Sequence, residues 1–274
     1  MADRIGQQLG NYRILRELGR GGFSDVYLGE HIYLKSHAAL KILRTSLAEQ
    51  DVNRFLVEAQ TLVNLRHPHI VRVLEFVIER GSPVLMMDYA PGGTARQLYP
   101  HGSRLPLATA VAHIKQVAAA LHYAHSRNVV HRDVKPENLL LGEQHELLLS
   151  DFGLALLSPS NELLSTQEMA GTIPYMAPEQ IRGKPCFASD QYALGIIAYE
   201  WLCGTRPFEG STWQILHQHL EDAPPGLREK NGEIPEMPGR VIGGLSMRAP
   251  LSRGRCDDHG DVTLTRRIAQ QFSG

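Results

Sequence analysis

Cysteine is scarce in this 274-residue chain, and the scarcity excludes whole classes of protein. Cys186, Cys203 and Cys256 are the only three, too few and too scattered for a disulfide framework or a zinc site. A reducing cytosol fits such usage. Charge of one sign is lacking too. The net charge of -1 gives no electrostatic case for nucleic acid or an anionic membrane. No run approaches the ~18 apolar residues that a membrane-spanning helix needs. The start, Met-Ala-Asp-Arg-Ile-Gly, has no apolar core and so does not read as a signal peptide.

What is present is concentrated in two short segments, His-Arg-Asp-Val-Lys-Pro-Glu-Asn at 131–138 and Asp-Phe-Gly at 151–153. Asp133 is a candidate base able to accept the proton of an acceptor hydroxyl. Asn138 and Asp151 each offer an oxygen of the hard kind that suits Mg2+, and Lys135 puts a positive charge beside the base. Phosphoryl transfer passes through a loose transition state, so a protein mainly positions the nucleophile and neutralises phosphate charge. These residue types meet that need.

With those segments in view, the chain resembles the eukaryotic-type protein kinases, close to the bacterial serine/threonine kinases, from about Tyr12 to about His219. Gly19-Arg-Gly21-Gly22-Phe-Ser24-Asp-Val26 resembles the family's glycine-rich loop over the ATP phosphates, with Ser24 in place of its third glycine. By itself that pattern reads equally well as a turn. Ala38-Ala-Leu-Lys41-Ile-Leu43 matches the strand that carries the ATP-binding lysine. A lysine in an apolar strand needs a partner. The resemblance supplies Glu58, beside a helical stripe of Val52, Phe55, Leu56, Ala59, Leu62 and Val63. Without Lys41, Glu58 would read as a solvated helix residue. The resemblance also places Leu18, Val26, Ala39 and Leu140 around adenine, Met87 at the gatekeeper position, and Asp88-Tyr89-Ala90 at the hinge whose backbone bonds adenine. The implied cofactors are ATP and Mg2+.

The implied fold is α+β and bilobal. Strand-like runs at Tyr12–Leu18, Val26–Glu30, Ala38–Leu43, Ile70–Ile78 and Val84–Met87 form a small lobe with one helix. Helical patterns at Leu107–Ser126 and Asp190–Cys203, and a shorter one near Trp213–His219, form the larger lobe. The expected organisation is a tail at 1–11, an N-lobe at 12–87, a hinge at 88–93, a C-lobe at 94–238 and an atypical segment at 239–274. By resemblance, Asp190 holds the backbone of the His131–Arg132 turn, and His131 is scaffold. Leu62, Val73, His131 and Phe152 match the family's apolar spine.

Between Asp151 and Ala177-Pro178-Glu179 there is no Lys or Arg, but Ser158, Ser160, Ser165, Thr166 and Thr172 are present. The resemblance makes Arg132 the docking group for a phosphate added to this segment, with Thr166 the first site and Ser165 the second. Alternatively these are simply polar residues of a loop. Thr172, in Gly-Thr-x-x-Tyr-x-Ala-Pro-Glu, is implied to brace Lys135 and Asp133. Together with Lys135-Pro-Glu-Asn it favours Ser/Thr over Tyr acceptors. The expected partners are proteins bearing Ser or Thr, and autophosphorylation allows for a dimer. The expected compartment is the cytoplasm.

Residues 239–274 break the pattern: Gly, Arg, Asp and Ser without helical periodicity stand where two apolar helices should close the lobe. Arg253 and Arg255 are the nearest candidates to pair with Glu179, in no matching context. A truncated or frame-shifted end is the expectation there. It keeps open a second reading, a kinase-fold scaffold that binds nucleotide without turnover. A small-molecule phosphotransferase is a third, disfavoured by the peptide-docking motif.

Overall fold

The computed structural model describes residues 4–21, 24–44, 59–79, 81–152 and 171–234. These fall into two compact units, one up to Pro91 and one from Gly92 onward. The first is a six-stranded antiparallel sheet of β1 (Gln8–Leu9), β2 (Tyr12–Arg20), β3 (Ser24–His31), β4 (His37–Leu43), β5 (Val73–Glu79) and β6 (Ser82–Asp88). Its strand order is β1-β2-β3-β4-β6-β5. Directly paired residues share a face, and every second residue returns to it. Tyr27, Leu40, Ile42, Val84 and Met86 therefore fill one face, with Leu9, Tyr12 and Ile14 joining the same core. The pairs Val26–Lys41, Lys41–Leu85, Leu28–Ala39 and Ala39–Met87 put Val26, Ala39, Lys41 and Met87 together on the other. Of the proposed helical stripe, residues 59–63 are helical, with Ala59 and Leu62 buried. Val52, Phe55, Leu56 and Glu58 lie outside the described residues.

In the second unit, two long helices make the core. These are α2 (Leu107–His125), which follows the short α1 (Ala95–Leu98), and α4 (Phe187–Cys203), which follows α3 (Pro178–Ile181). Helix α4 is apolar nearly all round and buried along almost its whole length, as a central helix must be. Helix α2 buries one face through Ala110, Ile114, Val117, Ala118, Leu121 and Ala124. Helix α4 starts at Phe187, three residues before the apolar pattern begins, because Ser189 accepts the Cys186 N–H at 3.1 Å and closes the first turn. It stops at Gly204, whose φ of 78° suits glycine. The hairpin β7 (Leu139–Leu141) and β8 (Leu147–Leu149), α5 (Thr212–Glu221) and α6 (Leu227–Lys230) complete the unit. At the unit's first residues, Gly92 N–H donates to Leu141 O at 3.0 Å and Leu141 N–H to Gly93 O at 2.9 Å. A Cβ on Gly92 would come within 2.6 Å of Leu141 Cβ, so this approach of chains requires glycine. Among the described residues no helix is long and apolar enough to cross a membrane.

Candidate active site

The segment between α2 and β7 has no regular structure until the 3-10 turn Pro136–Asn138, so something else must fix it. Asp190, fully buried in the first turn of α4, does so. Its Oδ2 accepts His131 N–H and its Oδ1 accepts Arg132 N–H, each at 2.8 Å. Oδ2 also accepts from His125 Nε2 at 2.8 Å. Arg132 sits at φ 70°, a conformation costly for a side-chain-bearing residue. Those bonds hold it there, as does Gln180 Nε2 donating to Arg132 O at 2.6 Å.

His131 is 1 % exposed, and both of its ring nitrogens are committed. Nδ1 accepts Asp133 N–H at 3.2 Å and Nε2 donates to Ser150 O at 2.7 Å, the pattern of a neutral imidazole. Its ring packs edge-on against Phe152 with centroids 4.5 Å apart. His131 is thus scaffold, tying the segment of Asp133 to that of Asp151.

The Asp133 carboxylate is surrounded by donors. Oδ1 accepts the Thr172 hydroxyl at 3.0 Å, and Oδ2 accepts Lys135 Nζ at 2.8 Å and Asn138 Nδ2 at 2.9 Å. Lys135 Nζ also donates to Thr172 Oγ1 at 2.8 Å, closing a ring of three side chains. Burial pushes the Asp133 carboxyl up, but the Lys135 ammonium and the hydrogen bond from the Asn138 amide outweigh it. The group titrates below its ordinary 3.8. It is therefore an ionised acceptor, with about four lone-pair sites of which these bonds use three. One acceptor position remains.

Asn138 is buried, and its Nδ2 is spent on Asp133 O at 2.7 Å as well as Oδ2. Its carbonyl oxygen is the group left for a cation. Ser150, the residue before Asp151, donates from N and Oγ to Asn138 O at 2.9 and 3.0 Å, so the two metal-ligand candidates belong to segments bonded to each other. Asp151 itself sits at φ 66°. No group of three or more His, Cys, Asp or Glu among the described residues could hold a metal. Mg2+ requires none, since it takes one or two protein oxygens and completes its shell with water and phosphate. The donor set fits.

In the first unit, Lys41 is 8 % exposed on the face it shares with Val26, Ala39 and Met87. Leu18 lies at the irregularity where the pairing of β2 with β3 shifts between Glu17 and Gly19, and Gly19 falls within β2. Asp88 ends β6, its N–H donating to Arg72 O at 3.0 Å, and Ala90 follows half-buried. Gly21 follows β2, and Leu140 is the middle residue of β7. Gly22, Glu58, Ser165 and Thr166 lie outside the described residues, as do Ser158, Ser160 and 239–274. Glu179 accepts from Ser189 Oγ at 2.6 Å, a partner that sequence reasoning did not supply. Sequence reading also missed Ser150, Gln180 and Arg96. Only Ser150 carried a signal, as the small polar residue directly before Asp-Phe-Gly.

A family model, the protein kinase domain, matches residues 12–236. Serine/threonine-protein kinase PrkC of Bacillus subtilis is 34 % identical over 91 % of this chain and 39 % of its own length. The DNA damage-responsive serine/threonine-protein kinase RqkA of Deinococcus radiodurans is 38 % identical over 85 % and 36 %. Aurora kinase A-A of Xenopus laevis is 37 % identical over 82 % and 56 %. The chain thus spans little more than a third of the length of the bacterial relatives. It belongs to the protein kinase domain family, as a bacterial-like, eukaryotic-type serine/threonine member.

Proposed function

We propose that this chain is a protein serine/threonine kinase that transfers the γ-phosphoryl group of ATP, with Mg2+, to Ser or Thr hydroxyls of proteins, itself included. The observation that carries the reading is the Asp133 carboxylate, held below its ordinary value by Lys135 and Asn138 and also bonded by Thr172, with one acceptor position to spare. Asp133 orients the acceptor hydroxyl and takes its proton late, because so acidic a carboxylate is a weak base until the oxygen has begun to bond to phosphorus. Lys135 neutralises charge on the phosphoryl group in transit. Asn138 and Asp151 hold the metal, whose contribution when bound is to neutralise the phosphate oxygens. Lys41 anchors the α- and β-phosphates, paired with Glu58.

Leu18, Val26, Ala39, Met87 and Leu140 face adenine, Asp88 and Ala90 bond it through the backbone, and Gly19, Gly21 and Gly22 cover the phosphates. Phosphate on Thr166 or Ser165 docks on Arg132, transfer between two copies requires at least a transient dimer, and the cytoplasm is the compartment. Autophosphorylation with radiolabelled ATP and Mg2+, followed by mass-spectrometric site mapping, tests the reading. Label on Ser or Thr that Asp133→Asn abolishes is expected. Thermal stabilisation by ATP with no transfer to any protein would overturn it.

A further inference from the structure

Arg96, the single charged residue of α1, is 15 % exposed, and all three of its guanidinium nitrogens are engaged. Nε donates to Glu137 Oε1 at 2.8 Å, Nη1 to Glu200 Oε1 at 2.7 Å, and Nη2 to Glu200 Oε2 at 3.2 Å and to the Tyr175 hydroxyl. Tyr175 donates in turn to Glu200 Oε2 at 2.6 Å, and His101 Nδ1 lies 2.9 Å from Glu200 Oε1. Burial and the neighbouring Glu200 raise the Tyr175 phenol far above its ordinary 10, so it remains a donor. Burial alone would raise the Glu200 carboxyl. Arg96 and Tyr175 overcome that and hold it below its ordinary 4.5.

The placement of the two outer partners matters most. Glu137 is the middle residue of the turn Pro136–Asn138, directly before a metal-ligand candidate. Tyr175 closes the turn Ile173–Tyr175, which opens directly after Thr172, the residue bonded to Asp133. One guanidinium thus spans two turns that each present a group to the same carboxylate, with Glu200 of the central helix as their common anchor.

We propose that Arg96 is a positioning residue for phosphoryl transfer, holding the Asn138 turn and the Thr172 turn in register; the proposal rests on the kinase reading above. A guanidinium spreads its donors over three nitrogens in one rigid plane, whereas a lysine ammonium concentrates them on a single atom that spans less distance between acceptors. Arg96 bonds neither metal-ligand candidate itself but the chain neighbour of one, Glu137, so its effect reaches Asn138 through the backbone. Direct partners of a ligand typically change metal affinity or activity by about 10–100-fold when lost, and the lower end applies here.

Deleting Arg96 would strand the buried Glu200 charge and endanger folding. The test therefore pairs Arg96→Lys with Glu137→Ala, which removes the acceptor of Nε, and with Tyr175→Phe, which removes the hydroxyl shared by Arg96 and Glu200. Alanine is used at 137 because glutamine would still accept from Nε. Amide hydrogen exchange at residues 137–139 and 173–176 is measured on the purified chain beside kcat, the KM for ATP and the Mg2+ dependence of the rate. Glu137→Ala is expected to speed exchange in the first segment and raise the half-saturating Mg2+ concentration about tenfold. Tyr175→Phe is expected to speed exchange in the second and lower kcat about tenfold with KM for ATP unchanged. Arg96→Lys should do both. Parental exchange in both segments of Arg96→Lys, or faster exchange with parental Mg2+ dependence and kcat, overturns the proposal. If the parent transfers no phosphate, the kinase reading fails, while the exchange data still decide whether Arg96 links the two turns.

Discussion

Replacing Asp190 is the sharpest perturbation this fold offers. Its carboxylate is 1 % exposed and serves two backbone N–H groups and one imidazole, each at 2.8 Å. Asp190→Ala leaves those three buried donors without acceptors. A buried unsatisfied donor costs about 1–3 kcal/mol, so the loss is about 3–9 kcal/mol, with the upper end reduced because neighbouring effects do not add. Since a domain's whole stability is about 5–15 kcal/mol, the alanine variant should be marginal. Asp190→Asn keeps one carbonyl oxygen but turns an amide N–H2 toward a donor, which costs about 1–3 kcal/mol. Equilibrium denaturant unfolding of the purified variants reads the cost. Phosphoryl transfer, assayed where each is folded, reads the effect on the catalytic segment. That segment should suffer disproportionately, because Arg132 at φ 70° relaxes once its N–H loses Asp190. If Asp190→Ala unfolds within about 1 kcal/mol of the parent, the carboxylate does not hold this turn and the reasoning fails.

The remaining expectations concern pH, the base and the glycine turn. His219, 3 % exposed beside Phe208 and bonded to the Tyr192 hydroxyl at 2.7 Å, is lowered by burial from 6.5 to about 4. The unfolded chain therefore holds more protons between those values, so stability is complete above about 6.5 and declines toward 4. Between pH 7 and 5 this group accounts for a loss of about 2 kcal/mol, and His113, lowered by burial too, adds to it in the same direction. His219→Gln should flatten that slope in denaturant titrations, and equal slopes would refute the assignment. Thr172→Ala should lower kcat about tenfold or more, since a hydrogen bond to a charged group contributes about 1.5–3 kcal/mol, and Thr172→Ser should restore most of it; a serine variant as slow as the alanine would count against the hydroxyl. Gly92→Ala should destabilise by about 1–3 kcal/mol through collision with Leu141, with unchanged unfolding curves as the contrary result.

The chain's order of motifs was readable residue by residue because each feature depends on local spacing. The short apolar run Ala38–Leu43, interrupted only by Lys41, gives a strand, and the apolar run before Cys203 gives a central helix. The chemistry of Asp133, Lys135 and Asn138 is likewise contained within a few consecutive positions. Short elements left no periodic trace: α1 is only four residues long and β7 three. Tertiary structure alone decided which distant groups meet. Arg96 reaches Glu200 across 104 residues, Gln180 reaches the Arg132 carbonyl across 48, and Glu179 finds Ser189, whereas the pairing of Thr172 with Asp133 was implied by the family resemblance. Sequence fixes the residue types and the local backbone period, but a hydrogen bond between remote side chains depends on how the helices pack, which no local pattern encodes.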